Sequence, residues 1–381
     1  MVMKIKIALL IIGLCSAGAA FAQSSVTLYG VADNGLTYTN NQAGGKTFQA
    51  SSGGLGGSKF GFLGKEDLGG NTAAIFQLES GYSIDNGALG YNGALFGRQA
   101  YVGLSGDYGK VLLGRQYDFM VTNLQGLSSA QLFGGALGSH AGDVDGIWGS
   151  NPINNVVKYV SPNFNGLQLG SLYSLGGVPG AAGQNRAYGF GATYANGNAK
   201  LGAAFLNVSN PATVLYASAA SPVPNQSFTD PVTNPIYSGY ASARSYQTFG
   251  AGGTYALGKA TLGVLYTNTR FSNMFQTSST PASGSVMFNS FEGYASYSFT
   301  PAIMAGAAYN FTETDTARYS QVVLGTQYNL SKRTFLYLIT AYEHAGGIDS
   351  TGHAAVADLT YLTAANGPNQ AAVRIGMRHS F

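Results

Sequence analysis

The sequence has one cysteine, one tryptophan, four histidines and, over 381 residues, only 9% charged side chains. Cys15 lies in an apolar N-terminal run that reads as a leader. The chain expected after its removal has neither a disulfide framework nor a thiol nucleophile. Scarce charge excludes a nucleic-acid footprint: without Lys4 and Lys6, 17 basic residues nearly balance 16 acids, and no basic stripe forms. Past the leader, no apolar stretch approaches the roughly 20 residues that a spanning helix needs. His140, His344, His353 and His379 have no cysteine or paired carboxylate at a metal-ligand spacing. No catalytic constellation, metal or cofactor is expected, and solvated loop histidines are the ordinary reading of His344 and His353. The run Gly53 to Lys59 lacks the Gly-Lys-Ser/Thr of a phosphate loop and a following helix pattern, so it reads as a mobile loop.

What is present points to export and to a membrane. Lys4 and Lys6 precede an apolar run, Ile7 to Leu14, and Ala20-Phe21-Ala22 is a small-x-small cleavage site. Residues 1–22 are expected to be a signal peptide cut between Ala22 and Gln23, leaving one domain, 23–381. Leu14 is too large for the residue before a lipidated cysteine. The chain also has 55 Gly and 25 Tyr. An exported, weakly charged chain with no spanning helix can cross a bilayer only as a closed sheet, which leaves no backbone group unpaired.

Period-two segments recur along the whole chain. Phe291, Gly293, Ala295, Tyr297 and Phe299 alternate with Glu292, Tyr294, Ser296 and Ser298. In the last segment Val373, Ile375, Met377, His379 and Phe381 alternate with Arg374, Gly376, Arg378 and Ser380. Such strands suit a wall with lipid on one side and water on the other, with aromatics near the ends as an interfacial girdle. Sixteen segments can be counted, at about 25–39, 57–68, 70–84, 95–106, 109–115, 154–162, 166–175, 186–196, 198–208, 244–256, 258–270, 288–299, 302–313, 317–329, 333–343 and 370–381. Tight links such as Leu68–Asn71 and Asn196–Asn198 alternate with longer stretches, about 40–56, 85–94, 116–153, 176–185, 209–243, 271–287 and 344–369, plus a short one near 314–316. The pattern predicts an all-β fold: a 16-stranded antiparallel transmembrane β-barrel with short periplasmic turns, long external loops and both ends on the periplasmic side. Ala100, Val102 and Leu104 are apolar opposite Tyr101 and Gly103, which suits a wall packed on protein and suggests a subunit interface in the first five strands.

Further motifs carry a resemblance. Ser25 to Gly30 (SVTLYG), Gly61 to Gly69 (GFLGKEDLG), Ala74 to Gly81 (AIFQLESG), Phe96 to Leu104 (FGRQAYVGL), Leu113 to Asp118 (LGRQYD), Val157 to Gly166 (VKYVSPNFNG) and the ending Ile375 to Phe381 occur in order. Over essentially the whole mature chain this resembles the Gram-negative general porins, especially the beta-proteobacterial and neisserial branch. The resemblance implies an outer-membrane homotrimer that passes small hydrophilic solutes and ions passively, in contact with lipid and lipopolysaccharide. It also implies that Phe381 is the assembly signal read by the barrel-insertion machinery. The third long stretch, with Asp118, Asp143, Asp145 and Trp148, is implied to fold into the barrel and narrow it. Opposite stand basic residues: Lys59 where the family usually has Arg, Arg98, Arg115, and Lys158 in place of the Arg expected at Val160. The ring implied is Lys59, Arg98, Arg115 and Lys158 against Asp118, Asp143 and Asp145.

Parity supports part of this from the residues alone. With Phe60 and Phe62 outward, Lys59 and Lys65 face the lumen; with Val373, Ile375 and Met377 outward, Arg374 and Arg378 do. Cations and carboxylates facing each other across a narrow section create a transverse field where bulk screening is poor, and width and ring charge set selectivity. A substrate- or anion-specific channel is the alternative function. Loops 209–243 and 344–369, rich in Ser, Pro, Ala and Asn, are flexible external surface that an adhesin could also use. An energised transporter is disfavoured because no plug segment precedes the first strand. The sign of ion preference is left open by the near-balance of charge.

Overall fold

The computed structural model describes residues 24–381; the expected signal peptide and its cut between Ala22 and Gln23 lie outside the described residues. The described chain is a closed antiparallel barrel. Its strands are β1 (Ser25–Gln42), β2 (Gly45–Ser52), β3 (Lys59–Gly69), β4 (Thr72–Gly81), β5 (Gln99–Gly106), β6 (Gly109–Gln116), β7 (Ile153–Val160), β8 (Leu167–Ser174), β9 (Ala187–Asn196), β10 (Ala199–Ser209), β11 (Ser245–Leu257), β12 (Ala260–Met274), β13 (Gly284–Ser298), β14 (Ile303–Glu313), β15 (Ala317–Asn329), β16 (Thr334–Gly347) and β17 (Asn369–Ser380). Apart from β2 and β3, which both pair with β1, each strand pairs with its neighbours along the chain, and β17 returns to β1 from Val31↔Ser380 to Thr39↔Ala372. Phe381 completes the seam: its N–H and C=O exchange 3.0 Å hydrogen bonds with Gly30, and its ring fills the space where Gly30 has no side chain.

β2 and β3 share one place in the circumference. β1 pairs with β2 along its upper part and with β3 along its lower part, so the barrel has sixteen staves, the second of them interrupted. This corrects the expected external stretch at 40–56. Ala43 and Gly44, both at positive φ, turn the chain tightly, and residues 45–52 continue as strand. The irregular segment is Gly53–Ser58, and it folds inward. It is also fixed rather than mobile: Leu55 is buried, its N–H donates to Asp33 at 2.8 Å, and its carbonyl accepts Arg378 at 2.6 Å.

The outer surface is apolar, as a lipid-facing wall requires. Val264, Ile375, Leu338 and Val102 stand exposed along its middle, and Tyr108, Phe164, Tyr255, Phe299 and Tyr328 ring the end with short turns. The buried core lies inside the barrel instead, where residues 117–152 pack their apolar side chains against β9–β16. Among the described residues no helix is long and apolar enough to cross a membrane.

Candidate functional site

The connection between β6 and β7 enters the barrel as short helical turns separated by kinks. Glycines on the inner wall make its bed. Phe119 lies over Gly170 and Gly191, Leu124 over Gly202 and Gly250, and Phe133 over Gly306 and Gly325; a Cβ at any of these six positions would collide with the loop. Phe133 is fully buried and meets Tyr294 edge-on at 6.0 Å. The seated loop therefore occupies one side of the cross-section and leaves the passage against the other.

A charged latch holds the middle of the loop. His140 is buried between Asp145 of the loop, 2.5 Å from Nδ1, and Glu292 of β13, 3.2 Å from Nε2. Asp145 also accepts the Thr267 hydroxyl at 2.7 Å, and Glu292 accepts the Ser129 N–H. Burial alone would push the His140 pKa down; Asp145 and then Glu292 outweigh it and hold the imidazolium to about 10. Asp143 accepts the Trp148 N–H at 2.8 Å and the Ser150 hydroxyl at 2.6 Å. Burial, then its neighbour Asp145, raises its pKa to about 7.

The opposite wall collects cations. Glu79 of β4 receives Arg98 Nε at 2.7 Å, Lys59 Nζ at 3.5 Å and the Tyr29 hydroxyl at 2.8 Å. Arg374 reaches Asp33 at 3.7 Å, Tyr337 at 2.9 Å, Thr37 at 2.9 Å and Ser51. Arg378 binds the inward segment through Leu55, and Arg115 donates to the Gly97 carbonyl and the Asn154 side chain at 2.7 and 2.6 Å. The same inward segment touches the loop, because Ala136 N–H donates to Gly54 O at 2.9 Å.

Water-accessible space runs down this side. A vestibule of about 1040 Å³ under the long loops has Arg98 and Arg115 in its lining. Below it, a 320 Å³ cavity is bounded by the adjacent Gln99 and Gln116 with Tyr101, Lys110 and Lys158. A 440 Å³ space at the short-turn end is lined by Lys65, Lys110 and Gln168.

The residues named from sequence thus fall into separate places. Lys59, Arg98, Arg115, Arg374 and Arg378 gather around Gly53–Ser58, whereas Lys65 lies further down at the short-turn end. Lys158 is buried under the start of the loop, donating to Tyr117 O at 2.8 Å, with its ammonium 4.4 Å from the centre of the Phe119 ring. The three loop acids do not face the cations across open space. Asp118 is buried and accepts the Met120 N–H at 2.6 Å, and burial raises its pKa against the pull of that bond and of Lys158. Asp143 and Asp145 are turned into the loop and the β12–β13 wall, because the loop's own N–H groups and His140 need acceptors there. The carboxylates that do meet the cations are Glu79 and Asp33, both from the wall.

Comparison with known proteins adds the last observation. Residues 8–347 match the model of a Gram-negative porin family. The chain is 31% identical to outer membrane porin protein 32 of Delftia acidovorans over 97% of both chains. The chain belongs to the Gram-negative porin family. Among solved structures, the anion-selective porin from Comamonas acidovorans superposes with a TM-score of 0.71 at 25% identity, covering 94% of this chain and all of that one. A trimer form of an outer-membrane protein of Vibrio cholerae shares the fold, with a TM-score of 0.62 at 17% identity over 94% of this chain and 99% of that one. The protein is an integral outer-membrane β-barrel of the porin class, whose members are channels.

The sequence reading of this porin missed Glu79, Asp33, Glu292 and His140. Glu79 had a signal: it occupies an inward-facing position in a hairpin with Lys59, because Gly61 pairs with Glu79 and Lys59 with Gly81. Glu292 had one too, as the single acid on the inner face of its strand. His140 and Tyr91 had none. They lie in irregular segments, and Tyr91 takes its place through a backbone at φ +53.

Proposed function

We propose that this porin is an open general diffusion channel whose narrow section favours anions. One observation carries the reading. Five cations (Lys59, Arg98, Arg115, Arg374 and Arg378) gather with only two carboxylates (Glu79 and Asp33), while Asp118, Asp143 and Asp145 are turned into the loop. All three partners of Glu79 are cation or hydroxyl donors, so its charge is spent locally, and among the described residues Arg115 has no carboxylate partner. An anion entering from the vestibule gains attraction at each successive guanidinium, whereas a cation meets a barrier there. Downhill passage needs no cofactor and no catalysis. The likeness to a relative described as anion-selective supports the same sign.

Assembly as a homotrimer through the first five strands, export with residues 1–22 removed and insertion directed by Phe381 are parts of the same proposal. The deciding experiment is single-channel recording in a planar bilayer under a KCl gradient. Ohmic steps closing in threes, with a reversal potential toward the chloride equilibrium value, are expected. A reversal potential toward that of potassium would overturn the anion reading, and single-step closures would overturn the trimer.

A further inference from the structure

The vestibule has two chemically different walls, and porin function of the general kind uses neither fully. Its floor is cationic: the Arg98 and Arg115 guanidiniums each lie 5.9 Å from the centroid of the Tyr91 ring. Gly81 and Gly97 leave the space this ring needs. Arg98 is spoken for by Glu79, but Arg115 holds only neutral acceptors, a carbonyl and an amide. Asp85 is the one acid in the lining among the described residues, and it is exposed at the rim, accepting the Ser52 N–H.

The roof is aromatic and apolar. Tyr216 and Tyr237 pack at 5.8 Å from the long loop after β10, beside Leu215 and Val232. Tyr361, from the segment between β16 and β17, lines the same space as Tyr91, Ser150 and Arg98. It is 63% exposed and held at φ +69, a backbone region that a bulky residue rarely occupies. Its segment is tied down at Ser139 of the infolded loop, which donates to Thr360 at 2.7 Å. Strain spent to aim an exposed ring into a water-filled space is a feature of ligand sites.

We propose that this vestibule captures monocyclic aromatic carboxylates before they cross the narrow section. The carboxylate takes the unpaired charge of Arg115, and the ring enters between Tyr361 and Tyr91 with the Tyr216 side closing behind it. A simple inorganic anion uses only the floor, and an uncharged arene only the roof; an aromatic acid uses both. The proposal rests on the anion-favouring open channel argued above and adds a solute class to it.

The test is current block in planar bilayers, with benzoate, cyclohexanecarboxylate, acetate and benzyl alcohol added in turn to the long-loop side. Each is compared with the channel's own chloride current and reversal potential in the same membrane. Benzoate is expected to half-block at a concentration at least tenfold below acetate or benzyl alcohol and severalfold below cyclohexanecarboxylate, and more weakly from the short-turn side. Tyr361→Ala should raise the half-blocking concentration of benzoate about three- to tenfold while Tyr361→Phe retains it, and Arg115→Gln should raise it about tenfold. Equal block by benzoate and acetate, or by benzoate and cyclohexanecarboxylate, in a channel that conducts chloride would overturn this inference alone. Loss of chloride preference itself would instead overturn the reading beneath it. The wild-type solute series decides the matter even where a variant fails to assemble.

Discussion

Replacing Glu79 by Gln tests the charge arrangement most directly. Glu79 is the shared partner of Lys59 and Arg98, whose side chains retain 26% and 17% exposure to the lumen. Gln keeps an acceptor for Arg98 and for the Tyr29 hydroxyl but removes one negative charge. The imbalance of five cations to two carboxylates becomes five to one. For an ion passing about 7 Å from that carboxylate through water, one unit charge is worth ~0.6 kcal/mol. The effect has opposite signs for anion and cation, so the difference between them is ~1.2 kcal/mol, or roughly eightfold in the chloride-to-potassium permeability ratio. Salt weakens it, since the Debye length falls from about 30 Å at 0.01 M to about 3 Å at 1 M. The assay is the reversal potential across a tenfold KCl gradient, repeated at rising mean concentration. Glu79→Gln should shift it toward chloride by an amount that shrinks with salt, and Arg98→Gln should shift it the other way. A Glu79→Gln channel with unchanged preference at low salt, or one moved toward potassium, would refute the placement of these charges on the ion path.

Other perturbations address the scaffold. His140→Leu leaves Asp145 and Glu292 buried without their cation and should cost about 3–5 kcal/mol, read as an earlier loss of the folded band on heating and as noisier open-channel current. Because the His140 pKa is raised to about 10, the latch contributes fully below the ordinary histidine value of about 6.5 and is lost as pH rises through about 10. Asp143, raised to about 7, adds a loss of stability as pH climbs from the ordinary carboxylate range of about 3.9 to that value. The melting temperature should therefore fall from pH 5 to about pH 10; the part of the fall between about pH 6.5 and 10 should shrink in His140→Leu, and an equal fall in that variant would remove the latch from the account. Gly306→Val should displace Phe133 and unseat the loop, increasing single-channel conductance; an unchanged conductance would mean the loop stays without that seat. Deleting Phe381 removes two hydrogen bonds and the ring at the closing seam, so less folded barrel should reach the outer membrane, and normal yield would contradict that.

The strand plan was legible because a membrane barrel repeats one constraint at every second residue. Runs such as Phe291–Phe299 and Val373–Phe381 announce both the element and its lipid face. Facing followed as well: Lys59, Arg374 and Arg378 lie on the inner parity that Phe60, Phe62 and Ile375 imply. What escaped was everything that depends on what fills the lumen. Gly170, Gly250 and Gly306 look like the small members of any alternating strand until Phe119, Leu124 and Phe133 are set over them. Asp143 and Asp145 could not be aimed from sequence, since their direction is decided by the loop's unpaired N–H groups and by a histidine with no periodic context. The Ser- and Gly-rich run after Gln49 carries no sign of whether it leaves the wall outward or inward, and hydrogen bonds from Asp33 and Arg378 decide that it turns inward.

That interrupted second stave separates two properties that a barrel ordinarily ties together. Circumference and tilt are fixed by strand number and register, so a continuous wall cannot change its bore without re-pairing every strand. Gly53–Ser58 lies outside the ladder, between a strand that ends at Ser52 and one that resumes at Lys59, and projects into the passage. Residues could be added or removed there with the pairings of β1 to β2 and of β1 to β3 left in register. The segment works like an adjustable stop mounted in a rigid frame, through which selection can reset the width of the channel one residue at a time while the frame keeps its dimensions.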